Sequence, residues 1–553
     1  MLVLREHKSF DGWLFGSEPG TAEVLLAFAD PVVFPQVFPY GLEVVRNSLT
    51  NRGLQVAVSL PFLTRTPAES LRLAIARLRP KLVGLSFRNL DEAGFDYESE
   101  GDETFIGQLV ELTQVVKHAG VPAALGGAGY SIAPVQLLAE TGADVGFVGT
   151  SEAEFAEFCV RVVRGGLPVA EACLGLSSVV RPNRPAPPPP RARLGLPYEF
   201  NASHRQLATL TGGHVGVRTK SGCTLRCSYC VVPWIEELNL RPWDDIRTEL
   251  QQVVSAGLGK RIFIADGEFN LPSDQYAIDL CRKIKSEFEG QLAWRCYIDA
   301  GHVSDELITS MIAAGCVGVS ITADSYSRLG RVGHAKASSV AAALDATDKL
   351  IGSGISTTIN ILFGGPKETI ESALETAGHC RRFHEHGAYL ALTIGQRVYP
   401  NTPLERIARN PRFAKHHYAL KRYPWLGVFC SPVPREKLVE YIEPILPKGN
   451  RIAYTNTLPG ADKDFFREVA IGAMLLAAKN YLDAHRHFDE LYRANPERKE
   501  ALLGLLEAEA GLRGMVPRLG EPEITIRSEA HAQIRSKAHA QTDGHIPIIK
   551  SGD

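Results

Sequence analysis

Two series of short apolar runs, each alternating with amphipathic stretches, divide the chain. In the first series Ala22–Ala29, Leu54–Leu60, Leu82–Ser86, Val121–Leu125 and Val145–Val148 read as strands. Gly41–Arg52, Ala68–Leu78 and Thr104–His118 place apolar residues at helical spacing between them. A short, largely apolar run such as Leu82–Ser86 suits the buried middle of a parallel sheet. Strands alternating with helices predict a Rossmann-like, doubly wound parallel sheet over residues 1–180. Ligands of such sheets bind at the carboxyl ends of the strands, across the switch point.

Residues 181–200 break the pattern. Arg181-Pro182-Asn183-Arg184-Pro185-Ala186 runs into four consecutive prolines and Arg191. Consecutive prolines favour extended polyproline II and forbid helix, so this stretch reads as a linker. The second series then fills 201–434. Its strands are Val215–Thr219, Arg261–Ala265, Leu292–Ile298, Val317–Thr322, Thr357–Phe363 and Tyr389–Ile394. Helical patterns lie over Asp244–Ser255, Ser273–Phe288, Ser304–Ala314, Ser338–Gly352 and Thr369–His384. Six β/α units predict a partial, open (β/α)6 barrel with its chemistry at the strands' carboxyl ends. From Arg435 the pattern is weaker and helical. Tyr481, Ala484, Phe488, Leu491 and Tyr492 make one face of a hairpin helix, with Glu500–Leu512 as its partner. A small helical domain is therefore expected over 435–515, and a polar, poorly ordered tail over 516–553.

Composition excludes several classes. Hydrophobic residues at 45% and charged residues at 22% are those of a soluble globular protein. A formal charge of −2 gives no electrostatic case for nucleic acid or an anionic membrane. No apolar run is long enough for a bilayer, and Met1–Gly20 lacks a secretory core. Ten cysteines in 553 residues are not the dense framework of a secreted domain, and the reading is cytoplasmic.

Three of those cysteines carry the strongest signal. Cys223, Cys227 and Cys230 stand at C-x3-C-x2-C spacing, with Tyr229 before the last, just after the strand at Val215. Three thiolates so close can hold three irons of a [4Fe–4S] cube and leave the fourth open. A zinc site would need a fourth ligand, and the next cysteine is Cys281. The motif resembles that of the radical S-adenosylmethionine (SAM) enzymes, in which the open iron binds SAM. That resemblance extends to Ala265-Asp266-Gly267-Glu268, similar to the family's SAM-contacting acidic turn, and to Gly364-Gly365-Pro366-Lys367-Glu368, similar to its adenine-side glycine motif. It implies SAM contacts at Glu268, Ser320 and Asn360; Glu268 has the open iron itself as an alternative partner. Gly395-Gln396-Arg397-Val398-Tyr399-Pro400 resembles a segment of the cobalamin-dependent branch, with Arg397 and Tyr399 either in the active site or anchoring the loop.

The first series carries the matching half. Gly126-Gly127-Ala128-Gly129-Tyr130-Ser131 and Gly149-Thr150-Ser151-Glu152 follow its last two strands. Glycines allow close backbone approach, and small hydroxyls give short hydrogen bonds. In this order, upstream of the cysteines, the loops resemble the cobalamin-binding domain of class B radical SAM enzymes. The resemblance implies that Gly126, Gly127, Gly129, Ser131, Gly149, Ser151 and Glu152 hold the cofactor's tail. The D-x-H-x-x-G motif of methyl carriers is missing, which implies base-off cobalamin without a histidine ligand. Arg88, in the loop Phe87-Arg88-Asn89-Leu90-Asp91-Glu92, is expected beneath the cobalt or paired with Asp91 or Glu92.

By resemblance, the whole implies a cobalamin-dependent radical SAM methyltransferase. It would use a [4Fe–4S] cluster, SAM and cobalamin, with flavodoxin or ferredoxin as electron donor. The implied acceptor is an unactivated carbon or a phosphinate phosphorus of a small or peptide-derived antibiotic intermediate. Arg397, Lys421 and Arg422 are candidate partners for an anionic acceptor. The alternatives are the same architecture without methyl transfer, as in oxidative cyclisation or ring rearrangement, and a non-catalytic cobalamin sensor, against which the intact cysteine triad argues.

Overall fold

The computed structural model describes residues 14–15, 21–29, 39–63, 66–90, 105–182, 214–301, 303–420, 422–448, 452–454, 468–469, 472, 475–476 and 481–519. Asp91, Glu92, Lys421, residues 183–200 of the expected linker, and the tail beyond Leu519 lie outside them. The chain divides into two compact units. One comprises 1–32, 39–199 and 215–458, the other 33–38, 200–214 and 459–553.

Two seven-stranded sheets build the first unit. The N-terminal sheet contains β1 (Leu14–Phe15), β2 (Val24–Phe28), β3 (Val56–Ser59), β4 (Leu82–Ser86), β5 (Ala123–Gly126), β6 (Val145–Phe147) and β7 (Val179–Val180). Their order is β1-β3-β2-β4-β5-β6-β7. The five expected strands form its parallel centre, doubly wound as predicted, while β1 and β7 add antiparallel edges. Those two-residue edges are too short to show a period. The chain reverses direction across the sheet between β2 and β4, so the switch point lies where Phe28 and Ser86 end their strands, with Arg88 in the loop just beyond.

The barrel sheet consists of β8 (Val215–Val217), β11 (Ile262–Ile264), β12 (Trp294–Asp299), β13 (Cys316–Asp324), β14 (Ser356–Phe363), β15 (Tyr389–Ile394) and β19 (Ile452–Tyr454). All run parallel, with β8 and β19 at the two edges. A ribbon of β9 (Lys220–Ser221) and β10 (Asn239–Leu240) brackets the cysteine loop. A second small sheet joins β16 (Gln396–Val398), β17 (His417–Ala419) and β18 (Gly427–Phe429). The expected boundary at residue 434 cuts through this barrel, because helix Arg435–Ile442 and β19 extend it. Three residues of β19 are too few to stand out from a helical background.

Local chemistry explains the barrel's sharp helix starts. Ser273, Ser304, Ser327, Ser339 and Thr369 each precede a helix, and each hydroxyl accepts the backbone N–H three residues on. Each such cap is worth about 1 kcal/mol. Alternate residues of β14 are buried under the helices, whereas Thr358, Asn360 and Leu362 on the other face are only half-buried. The barrel therefore keeps an accessible concave face.

In the second unit, helices Tyr481–Ala494 and Lys499–Leu519 pack together, with Phe488 filling the space above Gly472 and Gly504. The second helix runs past residue 515, where an unstructured tail was expected to begin.

The N-terminal glycine loop is held by contact rather than by hydrogen bonding alone. A Cβ on Gly127 (φ +102°) would lie 2.5 Å from the Phe87 carbonyl oxygen, and one on Gly129 would lie 2.8 Å from the Arg88 backbone. Gly127→Ala should cost about 2–4 kcal/mol through overpacking and backbone strain. Gly120 also has φ +70°, but nothing lies within 4 Å of its Cβ position. Gly120→Ala should therefore cost only about 1 kcal/mol. Urea-unfolding midpoints of the two variants measure the difference, and equal losses would contradict the packing argument.

Candidate active site

The cysteine loop is fastened before it reaches its first cysteine. Asp266, at the end of β11, accepts hydrogen bonds from the Thr219 and Lys220 backbone and from the Thr219 hydroxyl. The Lys220 ammonium lies 2.9 Å from the same carboxylate and is almost fully buried. Gly222 has φ +68°, and a Cβ there would meet the Glu237 backbone at 2.4 Å. Its N–H donates to Glu236 at 3.2 Å. Cys227 is buried, while Cys223 and Cys230 are half-buried. Burial pushes all three thiols up, Cys227 to about 12 and Cys230 to about 11. The Lys336 charge opposes that rise at each of them. Among the described residues, no three His, Cys, Asp or Glu converge as a single metal ion requires. A cube does not require this, since its thiolates cap different irons.

Ser228 and Tyr229 tie the loop to the rim of the barrel. The Ser228 hydroxyl donates to the Gly333 carbonyl at 2.9 Å, and its N–H donates to that of His334. The Tyr229 hydroxyl donates to Asp324 Oδ2 at 2.6 Å, and its ring meets His334 edge-on. Asp324 closes β13 in a left-handed conformation, φ +60°. Its Oδ2 also lies 3.0 Å from the Lys336 ammonium, which donates to the Thr322 carbonyl at 3.0 Å and sits 3.9 Å from Asp299.

Glu268 stands in the same cluster, 8% exposed. Its Oε1 accepts the Thr322 hydroxyl at 2.7 Å, and its Oε2 has no hydrogen-bond partner among the described residues. Burial raises its carboxyl to about 8 against the pull of Lys336. A buried carboxyl oxygen without a partner, close enough to Cys223 to influence its thiol, suits a donor or a cation. Ser320 and Asn360 lie on the concave face of β13 and β14, and Asn360 donates to the Ile321 carbonyl at 3.2 Å. The rim thus holds the loop of Cys223, Cys227 and Cys230 together with Glu268, while Ser320 and Asn360 stand further down the concave face. It adds Thr322, Asp324, Lys336 and Asp299, of which sequence reasoning singled out only Thr322, as a strand end. Lys336 lies in a polar helix-to-helix turn with no motif of its own.

Arg397 is on β16 with its guanidinium over the Tyr399 ring at 5.6 Å. Tyr399 packs against the core of the N-terminal sheet together with Tyr423 and Leu426. An anchoring role would use that contact.

At the N-terminal sheet, Ser131 departs from expectation. Its hydroxyl donates to the Gly127 carbonyl at 2.9 Å and accepts the Gly149 N–H at 3.0 Å. It joins the two glycine loops to each other, so its donor is not offered to a ligand. Ser151 precedes helix Glu152–Val163, whose first residue, Glu152, accepts the Ser48 hydroxyl through its carbonyl. Gly126 ends β5, and Gly149 turns with φ +64°. Arg88 lies 5.8 Å over the Phe28 ring, at the switch point.

Glu368 is a second buried carboxyl of the barrel. Its Oε2 accepts the Gly364 N–H, and its Oε1 has no partner among the described residues. Burial raises it to about 8, against hydrogen bonds from Gly364 and Gly365. An unfolded glutamate ionises near 4.5, so between those values the folded chain keeps a proton that the unfolded chain has lost. Its contribution is intact below 4.5 and fades as pH rises through about 8. Glu368→Gln should therefore flatten the fall in stability from pH 5 to pH 8, as read by urea unfolding. An unchanged pH slope would contradict this assignment.

Comparison with known proteins agrees with the geometry. Residues 217–380 match the radical SAM superfamily model. Tryptophan 2-C-methyltransferase of Streptomyces laurentii is 24% identical over 441 residues, 66% of this chain and 71% of that protein. The radical SAM methyltransferase TsrM of Kitasatospora setae, solved with tryptophan and a SAM analogue, superposes with TM-score 0.68 at 21% identity, over 81% of this chain and 96% of that one. A second TsrM structure holds cobalamin and a [4Fe–4S] cluster, with TM-score 0.66 at 20% identity over 83% of this chain and all of that one. The cobalamin-dependent SAM radical enzyme OxsB superposes with TM-score 0.57 at 12% identity, over 95% of this chain and 84% of that one. Residues 217–380 are thus a radical SAM domain, in a chain homologous to tryptophan 2-C-methyltransferase and folded like the cobalamin-dependent radical SAM enzymes.

Proposed function

We propose that the protein is a cobalamin-dependent radical SAM methyltransferase acting on a small-molecule acceptor. The observation that carries this reading is the pairing of two rims in one unit: the fastened cysteine loop with its orphan carboxylate, and the glycine loops of the doubly wound sheet. The residues fit the groups the reading needs. Three thiols at one loop suit a cluster with an open iron. The unpartnered Glu268 Oε2 suits a cationic ammonium or sulfonium nearby. Backbone-lined loops at a switch point suit the tail of a large cofactor.

When bound, the cluster and cobalamin supply electron transfer to SAM and relay of its methyl group; the protein binds, orients and excludes water. Cys223, Cys227 and Cys230 would hold the cluster, with Tyr229 fixed through Asp324 so that the loop cannot swing. Glu268 would orient SAM through its free oxygen, with Thr322 holding the other. Ser320 and Asn360 would line SAM's side of the concave face. Gly126, Gly127, Gly129 and Gly149 would admit the cobalamin tail, and Ser131 would keep their two loops at a fixed spacing. None of Phe87–Leu90, Gly126–Ser131 or Gly149–Glu152 includes a histidine, which supports a cobalt without a protein base. Arg88, over the Phe28 ring at the switch point, would help hold the cofactor there. A low-potential donor such as flavodoxin or ferredoxin and a reducing cytoplasm follow from the same chemistry, and no described helix is long and apolar enough to cross a membrane.

The acceptor belongs to the small-molecule class, and the homologue's name makes tryptophan the first probe. Anaerobic incubation of the reconstituted protein with methyl-labelled SAM, a low-potential reductant and tryptophan or an indole analogue should move label into the acceptor. The triple variant C223A/C227A/C230A should lose the iron–sulfur absorbance and the transfer together. Acceptor turnover without label would overturn methyl transfer in favour of the second reading, a non-methylating enzyme of the same architecture, which the broad overlap with OxsB supports.

A further inference from the structure

Lys336 is the least expected member of the site. Its side chain is 2% exposed, and an ammonium so deeply buried is costly unless its partners are fixed. Two of its contacts lead to different parts of the site. One runs through Asp324 Oδ2 to the Tyr229 hydroxyl, at 3.0 and 2.6 Å, and so to the backbone between Cys227 and Cys230. The other runs through the Thr322 carbonyl, whose own hydroxyl holds Glu268 Oε1, at 3.0 and 2.7 Å. Backbone strain accompanies both ends. Asp324 has φ +60°, and Ala335, immediately before Lys336, has φ +58° where glycine would be unstrained. Strain kept at two non-glycine residues flanking one buried charge marks an arrangement that the rest of the fold maintains.

The surrounding charge is unbalanced. Asp299 and Asp324 face Lys336, with Glu268 beside them in a setting whose burial favours its neutral form, and the three thiols lie within its field. Arg331, the neighbouring cation, is turned to the Ala323 and Ser325 carbonyls and to Ser338. A fixed positive charge beside a redox centre favours the form with the extra electron, because buried charges are poorly screened.

We propose that Lys336 is a positioning residue that keeps the cysteine loop and Glu268 in register and, by its charge, raises the reduction potential of the cluster this loop would carry. This rests on the cluster reading given above. The test is the midpoint potential of the reconstituted full-length protein, followed by electron paramagnetic resonance during a reductive titration, with iron and sulfide content as the control. K336M should assemble a cluster whose potential is shifted downward, and K336R should lie nearer the wild type. D324N keeps the lysine and an acceptor for Tyr229 but removes the compensating negative charge, so its potential should shift upward. A residue that only fills space would not give opposite signs. If K336M does not fold, D324N decides alone: an upward shift supports the proposal, and an unchanged or lowered potential overturns it. An intact cluster with unchanged potential in K336M also overturns it. A wild-type protein that assembles no cluster would overturn the underlying reading, and this proposal with it.

Discussion

A buried polar joint ties the two sheets together, beside the apolar contact of Tyr399, Tyr423 and Leu426 with the N-terminal core. Arg241, just after β10, donates through Nη1 to Glu249 at 2.5 Å, to the Arg218 carbonyl at 2.6 Å and to the Tyr40 hydroxyl at 3.3 Å. Tyr40 opens helix Tyr40–Asn51 of the N-terminal sheet, while Arg218 and Glu249 belong to the barrel. The Tyr40 Cβ also lies 3.6 Å from where a Cβ on Gly216 would stand, on β8. Removing one partner of a buried pair typically costs about 3–5 kcal/mol, so losing Arg241 or Glu249 would weaken this joint strongly. Its chain of contacts continues outward. The Arg218 guanidinium pairs with Glu236 at 2.7 Å, and Glu236 receives the Gly222 N–H at the start of the cysteine motif. A displacement of the first sheet would thus be felt at Cys223.

Rigidity is what the proposed chemistry asks of the fold. Group transfer between two bound cofactors depends on fixed approach far more than on any one side chain. The parallel strands supply the rims. The joint fixes them to each other, and the Tyr229–Asp324–Lys336 and Glu268–Thr322 contacts fix the contents of the barrel rim. At the other rim, Ser131 fixes the glycine loops. The recurring device is a polar side chain spent on holding backbone, which leaves glycine backbone and Glu268 Oε2, without a hydrogen-bond partner among the described residues, for the site.

Much of this frame was readable from the chain because period and motif are local signals. Tyr389–Ile394 was predicted to the residue, and Leu82–Ser86 likewise, since uninterrupted apolar runs bounded by turns have one reading. The cysteine motif, Glu268 and the strand-end glycines were legible for the same reason. What escaped depends on distance along the chain. Lys336 meets Asp299 from 37 positions away, and Tyr229 meets Asp324 from 95, pairings that no spacing encodes. Ser131 was named correctly as a residue of the loop, but its hydroxyl is claimed by Gly127 and Gly149, which only the folded loop reveals. Edge strands β1, β7 and β19 were missed because two or three residues carry no period.

The central claim is that one compact unit would hold both redox centres close enough to cooperate. The direct measurement is the electron paramagnetic resonance spectrum of cob(II)alamin bound to the full-length protein, recorded with the cluster oxidised and then reduced. The account predicts that reducing the cluster broadens or splits the cobalt signal through spin coupling, and that this change is lost in a protein without the three cysteines. A cobalt spectrum indifferent to the state of the cluster, or a protein that binds one centre and excludes the other, would contradict it.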